Sequence, residues 1–225
     1  MALGLFLALT LSIVDYFTEG LFSKASQNKM KFISFAAGSS VAYIFLILLP
    51  DIYSNAITIS KLLFLPILFG FGTFHIIEKF IRQNFTGPEL RKEHRAIHST
   101  TSFFYFFVVG FLLVKISGSN AIGSILLFIP IMLHIVIDSL PRRVTKIIHL
   151  RIFSASSAFL GAITASFLDV GNIGNGIFLG IVGGGLLYTV TRESLPREKK
   201  GKPMYFITGL LLFTVLIMAL WNSGF

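Results

Sequence analysis

Residues 29–51 read KMKFISFAAGSSVAYIFLILLPD. Lys29 and Lys31 open the stretch, residues 32–50 carry no formal charge, and Leu49-Pro50-Asp51 closes it. A bilayer's hydrocarbon core of ~30 Å takes about 20 apolar residues of helix. The stretch therefore predicts a membrane span with a cationic anchor at its N-terminal end. The same unit recurs along the chain, and the expected spans cover 2–22, 32–50, 57–80, 96–116, 121–140, 151–168, 172–191 and 203–221.

The basic residues orient these spans. Lys24, Lys29 and Lys31 fill the first gap, and Lys79, Arg82, Arg91, Lys92 and Arg95 the third. Arg142, Arg143, Lys146 and Arg151 fill the fifth; Arg192, Arg197, Lys199, Lys200 and Lys202 fill the seventh. Of the 19 Lys and Arg, only Lys61 and Lys115 lie in even-numbered gaps. Cationic loops stay in the cytoplasm, so the alternation predicts odd loops inside and both termini on the non-cytoplasmic side.

Composition agrees with this topology. Charged residues make up 13% of the chain, and mean hydropathy is +0.82, far above that of a soluble domain. The loops between spans are short, which predicts one polytopic domain over 1–225 with the lipid bilayer as its main partner. The N-terminal stretch lacks a basic n-region and reads as a first helix rather than a cleaved signal. Short loops without a targeting extension point to a prokaryotic plasma membrane. The net charge of +9 is spread over four loops as anchors, with no basic stripe that would follow a phosphate backbone, so nucleic acid is not expected. With no Cys, any metal must be held by imidazole, carboxylate, hydroxyl or thioether.

Residues 36–51 resemble residues 182–197, VGGGLLYTVTRESLPR. Gly38 to Tyr43 and Gly183 to Tyr188 share a spacing, and Leu49-Pro50 matches Leu195-Pro196 after one inserted residue. The copies are spans two and seven, and an odd offset places them in opposite orientations, as in an inverted repeat. Spans 1–3 then pair with spans 6–8, leaving spans four and five in the centre. The alternative is chance recurrence of apolar segments ending in Leu-Pro. Gly176, Gly180 and Gly184 recur every four residues and predict a smooth face for close helix packing. Gly87-Pro88-Glu89 reads as the start of helix four, which enters the bilayer near Ala96.

Ionisable groups within spans cost at least ~2.5 kcal/mol at mid-depth and so mark function by default. His134 and Asp138 share a face of span five at i and i+4. His98 lies on span four, with Ser102 one turn later. At 1.5 Å per residue His134 is ~10 Å from Pro141, so all three candidate ligands fall in the cytoplasmic half. His75 and Glu78 on span three, and Asp15 and Glu19 on span one, lie in that half too, as along an exit path. Glu78, Asp15, Glu19 and Glu193 are near boundaries and read as hydrogen-bonded or snorkelling groups. His94 reads as solvent-exposed and His149 as interfacial. For His98, His134 and Asp138, a divalent cation supplies the counter-charge that an apolar bundle lacks. No HExxH, Walker-type loop or GxGxxG accompanies them.

At these residues the chain resembles the ZIP (Zrt/Irt-like) divalent metal-ion transporters, over nearly its whole length. Phe35-Ala36-Ala37-Gly38 through Leu48-Leu49-Pro50-Asp51 is similar to that family's second helix, with its Leu-Leu-Pro-acid ending. Phe74-His75-Ile76-Ile77-Glu78-Lys79 is similar to the third, and Gly183-Gly184-Gly185 through Tyr188 to Leu195-Pro196 to the seventh. The resemblance implies eight transmembrane helices in an all-α fold, with inverted repeats of helices 1–3 and 6–8 around helices 4 and 5. The metal motifs match in part. His98-Ser99-Thr100-Thr101-Ser102-Phe103 keeps the helix-four His without its carboxylate and Gly. His134-Ile135-Val136-Ile137-Asp138 keeps the first ligand and last acid of helix five without the middle acid and Pro.

The resemblance implies one site of His98, His134 and Asp138; by their positions in the same half, Ser102, His75 and Glu78 read as additional or exit-path groups. Its cargo is Zn²⁺, or Fe²⁺ or Mn²⁺, moved toward the cytoplasm without an organic cofactor. A homodimer is compatible with it. Two other readings stay open: an intramembrane zinc hydrolase recruiting His75, His98 and His134 with Asp138 as base, and a non-transporting sensor.

Overall fold

The computed structural model describes the backbone of residues 1–21, 29–84, 87–139, 148–191 and 202–222. Side chains are described for 1–17, 30–80, 83–84, 100–136, 152–191 and 202–222. Within these limits all regular structure is helical. α1 covers Ala2–Leu21 and α2 Lys29–Tyr43; a π turn, Ile44–Leu48, carries α2 without a break into α3, Leu49–Thr58. A 3-10 turn, Lys61–Phe64, leads into α4, Leu65–Asn84, followed by α5, Gly87–Ser119, and α6, Ala121–Ser139. α7 spans Ile148–Phe167, α8 Gly171–Thr189 and α9 Pro203–Asn222. With α2 and α3 joined, the rods follow the eight expected spans in order. Helix four begins at Gly87, as Gly87-Pro88-Glu89 predicts.

Four described segments are long and apolar enough to cross a membrane: Met30–Thr58, Lys61–Phe80, Thr100–Ser119 and Pro203–Asn222. Ala2–Phe17, Ala121–Val136 and Ile152–Phe167 are shorter apolar helices. Phe6, Leu62, Leu68, Phe69, Ile76 and Phe104 all point outward. So much exposed apolar surface is compatible with a lipid environment and unlike a water-facing exterior.

The second rod departs from its expected end. Pro50 does not stop it, and helix continues to Thr58 before turning at Ile59 and Ser60. A proline lacks the N–H for an i→i−4 bond and crowds the carbonyl four residues back. Here the π turn precedes it, and Pro50 takes the second position of α3. Ser60 starts the next rod by accepting the Leu62 N–H at 3.2 Å, a side-chain cap on a helical start.

Three parallel helix pairs form the frame: α2 with α9, α4 with α8, and α5 with α7. Each closes through glycines facing the partner's backbone. A Cβ at Gly38 would collide with the Phe206 carbonyl oxygen, and one at Gly209 with that of Phe35. Gly70 and Gly184 stand in the same relation to Ile181 and Ile67, as do Gly110 and Gly161 to Ala158 and Phe107. The Gly176, Gly180 and Gly184 face lies against Leu63, Pro66 and Ile67, the packing its four-residue spacing predicts.

Cross-helix hydrogen bonds add to the frame. Ser34 Oγ accepts the Lys202 N–H at 3.1 Å, and Ser12 Oγ accepts the Phe159 N–H at 3.1 Å. α1 packs against α5, α6 and α7, and Leu11, Ile44, Leu48, Phe111, Leu127, Ile131 and Leu186 fill the interior.

Lys115 is 3.5 Å from Asp169, in the short turn between α7 and α8. Asp169 also accepts the Gly171 N–H at 3.2 Å, and Gly171 takes the left-handed φ of 64°. That backbone bond first, and Lys115 second, hold the Asp169 carboxyl below its ordinary pKa. One of the two basic residues outside the odd gaps is thus charge-paired.

Substituting Gly110 or Gly161 by Leu should force α5 and α7 apart and cost roughly 1–3 kcal/mol or more, as overpacking does. Gly72 and Gly118 have open space where a Cβ would stand. Their Ala variants should hold or raise stability by up to ~1 kcal/mol, the helix-propensity gain. Thermal unfolding in detergent, followed by loss of the monodisperse chromatographic peak, reads both sets.

Candidate functional site

Leu127, Ile131, His134 and Ile135 follow one another at i, i+4, i+7 and i+8 along α6, and all are buried. That spacing is the inward stripe of a helix, so the imidazole at 134 is carried inward by its apolar neighbours. Pro130 sits inside α6 one turn before His134 and cannot donate to the Leu126 carbonyl.

Across the α2–α6 contact, Ser40 Oγ lies 3.0 Å from His134 Nε2. Ser40 is fully buried, and its Oγ is also 2.8 Å from the Ala36 carbonyl oxygen, to which it donates. The contact falls three turns into α2 from Lys29, roughly 16 Å along the axis. Packing two polar groups together at that depth removes the cost of leaving either one against hydrocarbon alone.

The side chains of His98 and Asp138 lie outside the described residues, as do those of Ser99, His94, His149, Glu19 and Glu193 and the Leu195-Pro196 segment. Their backbone registers are described where they fall in helices. Asp138 follows His134 by one turn of α6. His98 precedes Ser102 by one turn of α5, and His98, Ser102 and Tyr105 share a face at i, i+4 and i+7. Ser102 is buried. At Tyr105 that face meets α4 and α8: its ring lies 5.4 Å from that of Phe74, and its hydroxyl donates to the Val182 carbonyl at 3.3 Å. His134 instead meets α2.

His75 and Glu78 occupy different settings despite sharing α4. Glu78 is buried, and the Tyr188 hydroxyl donates to its Oε2 at 2.8 Å. Phe71 and Phe74 pack around Tyr188, with ring centroids at 5.6 and 6.0 Å. His75 is exposed and turns an edge toward Tyr188 at 6.1 Å. Glu78 thus takes the hydrogen-bonded form expected near a span boundary. Among the described residues no three His or acidic groups gather in a way that could hold a metal. The structure brings Ser40 to His134 and Tyr188 to Glu78, and does not bring His75 or Glu78 to His134.

Sequence reasoning missed Ser40 and the partner of Glu78. Both signals were present: a hydroxyl pair, Ser39-Ser40, within an uncharged span, and a Tyr at the matching end of the second repeat copy. Each is a polar group that must find a partner inside an apolar bundle.

No protein-family model matches the chain, and no curated protein matches it.

Replacing Tyr188 by Phe removes a donor from the buried Glu78 carboxyl while keeping the ring packing. The loss should lie at about 1–3 kcal/mol, the cost of deleting a partner of a buried polar group. Adding Glu78→Leu to Tyr188→Phe should recover part of it. Thermal unfolding of the single and double variants in detergent measures the coupling.

Proposed function

We propose that this chain is a divalent-cation transporter, carrying Zn²⁺, or Fe²⁺ or Mn²⁺, toward the cytoplasm through one site made by His98, His134 and Asp138. The observation that carries the reading is His134: an imidazole buried on the inward stripe of α6, in contact with Ser40 of α2. An inward imidazole one turn from an acid on the same helix offers nitrogen and oxygen donors to one ion. Two imidazoles and one carboxylate form a borderline donor set that suits these cations. In this reading His98 joins them from α5, a helix that packs against α6.

The same reading takes all eight rods as spans, with α1 to α4 and α7 to α9 as oppositely oriented repeats around α5 and α6. The packing supports it. Exchanging the α2–α3 rod with α8, and α9 with α4, turns the α2·α9 pair into the α8·α4 pair. Both pairs close by reciprocal glycines, Gly38 with Gly209 and Gly184 with Gly70. Exchanging α5 with α6 maps Ser40 against His134 onto Gly185 against Tyr105. In that register Ser40 and Gly185 each stand two residues after the first glycine of the repeat, Gly38 or Gly183, whereas the closing glycine of the α4–α8 pair is Gly184, one residue on. The Lys and Arg distribution supports both termini outside.

In transport, the neutral imidazole of His134 takes the cation from the outer side, and the Asp138 carboxylate offsets its charge. The carboxylates missing beside His98 and His134 weaken binding, which favours release, since an ion must leave as well as enter. Movement of α5 and α6 against the paired repeats would switch access between the two sides.

Proteoliposomes loaded with a metal-sensitive dye test this reading. Zinc, iron or manganese influx by the wild-type chain should fall to the background of empty vesicles in His134→Ala and Asp138→Ala, at equal protein incorporation. Full flux from either variant would sink the assigned site. Metal that survives dialysis together with cleavage of lipid amides or esters would favour a hydrolase instead.

A further inference from the structure

We infer that Ser40 is a positioning residue for the cation, fixing His134 as the Nε2–H tautomer so that Nδ1 presents its lone pair to the metal. The inference rests on the cation-transport reading above and adds which nitrogen binds and what holds it.

The derivation is a proton inventory. A serine hydroxyl has one proton and two acceptor lone pairs, and a neutral imidazole has one N–H and one acceptor nitrogen. Ser40 Oγ is 2.8 Å from the Ala36 carbonyl oxygen, which can only accept. This is the back-bond to the residue four before that serines make inside helices. The single hydroxyl proton is committed there, and Oγ faces His134 Nε2 at 3.0 Å as an acceptor. Nε2 therefore carries the imidazole proton and donates it to Ser40. Nδ1 is left with the lone pair that a metal requires, since histidine binds metals as the neutral ring through its unprotonated nitrogen.

Two further features make Ser40 a fixed acceptor. The residue is fully buried, so water does not compete for the hydroxyl. Its helix is anchored close by, where Ser39 Oγ donates to the Phe35 carbonyl at 3.1 Å and Gly38 lies against the α9 backbone. The neighbouring hydroxyl also lies 3.4 Å from the Gly209 carbonyl oxygen of α9, and Ser40 is the one turned to α6. The arrangement follows the general pattern in which a metal-binding His donates its other ring N–H to a neighbouring acceptor, which sets tautomer and ring orientation.

The test uses the full chain, labelled with ¹⁵N-histidine, in lipid nanodiscs. A His134→Gln variant assigns the His134 signals among the five histidines of the chain. The expected result for the wild type without metal is a proton bonded to Nε2 and none on Nδ1, with added Zn²⁺ shifting Nδ1. A proton on Nδ1, or a ring that Zn²⁺ leaves unchanged, would overturn the inference. Ser40→Ala should lose the single tautomer and lower zinc influx at sub-saturating zinc by about tenfold, the low end for loss of such a partner. Ser40→Thr, which keeps the hydroxyl, should restore both. Wild-type influx from Ser40→Ala with an unaltered tautomer would also overturn it. The metal-free spectrum needs no variant that might fail to fold beyond the assignment sample, and it is independent of transport. Loss of influx in His134→Ala together with an Nδ1–H ring would leave the transport site standing and remove Ser40's role alone.

Discussion

In hydrocarbon, helices gain nothing by burying apolar side chains against one another, because lipid tails are equally apolar. Association has to come from close packing and hydrogen bonds between helices. The described helices pack in the way such a setting demands, with glycines set opposite carbonyl oxygens in reciprocal pairs that leave no room for a Cβ. Three parallel pairs are closed this way, and the remaining contacts are arranged around them. Gly183, Gly184 and Gly185 carry the constraint furthest: successive glycines face Leu48 and Ile52, the α4 backbone, and Tyr105 with Phe74. α8 thereby touches three neighbours within a single turn.

This crowding settles where polar groups can exist. Tyr105 and Tyr188 bring their rings into the α4–α5–α8 seam and direct their hydroxyls to Val182 and Glu78. Ser40 and His134 form the corresponding polar contact in the α2–α6 seam.

Much of the helical frame was legible because charge and hydropathy act over whole segments. A gap with several cations cannot be confused with a span, and the rods follow the expected segments closely at Ala2, Ala121 and Pro203. The end of the second rod was not legible. Pro50 is ordinarily a stop, and its accommodation depends on how the preceding turn winds, which no local propensity encodes. At the site, the position of His134 within an apolar span followed from the sequence. Its contact with Ser40 did not, because it depends on which helix lies opposite. Glu78 was read as hydrogen-bonded without its partner for the same reason: Tyr188 is 110 residues away in sequence.

The π turn in the second rod has a geometric consequence. Ala36, Ser40, Ile44, Leu48, Ile52 and Ala56 are all nearly inaccessible, at 2% exposure or less, and they recur every four residues. On a regular α-helix such a row precesses by ~40° at each step, and ~200° from first to last, so it would wind from the interior to the exposed side. A π turn winds more residues into each revolution and takes back part of that precession midway. The wider turn is therefore a phase correction: it keeps one straight inward seam along a rod of about 30 residues, longer than the ~20 that a bilayer requires.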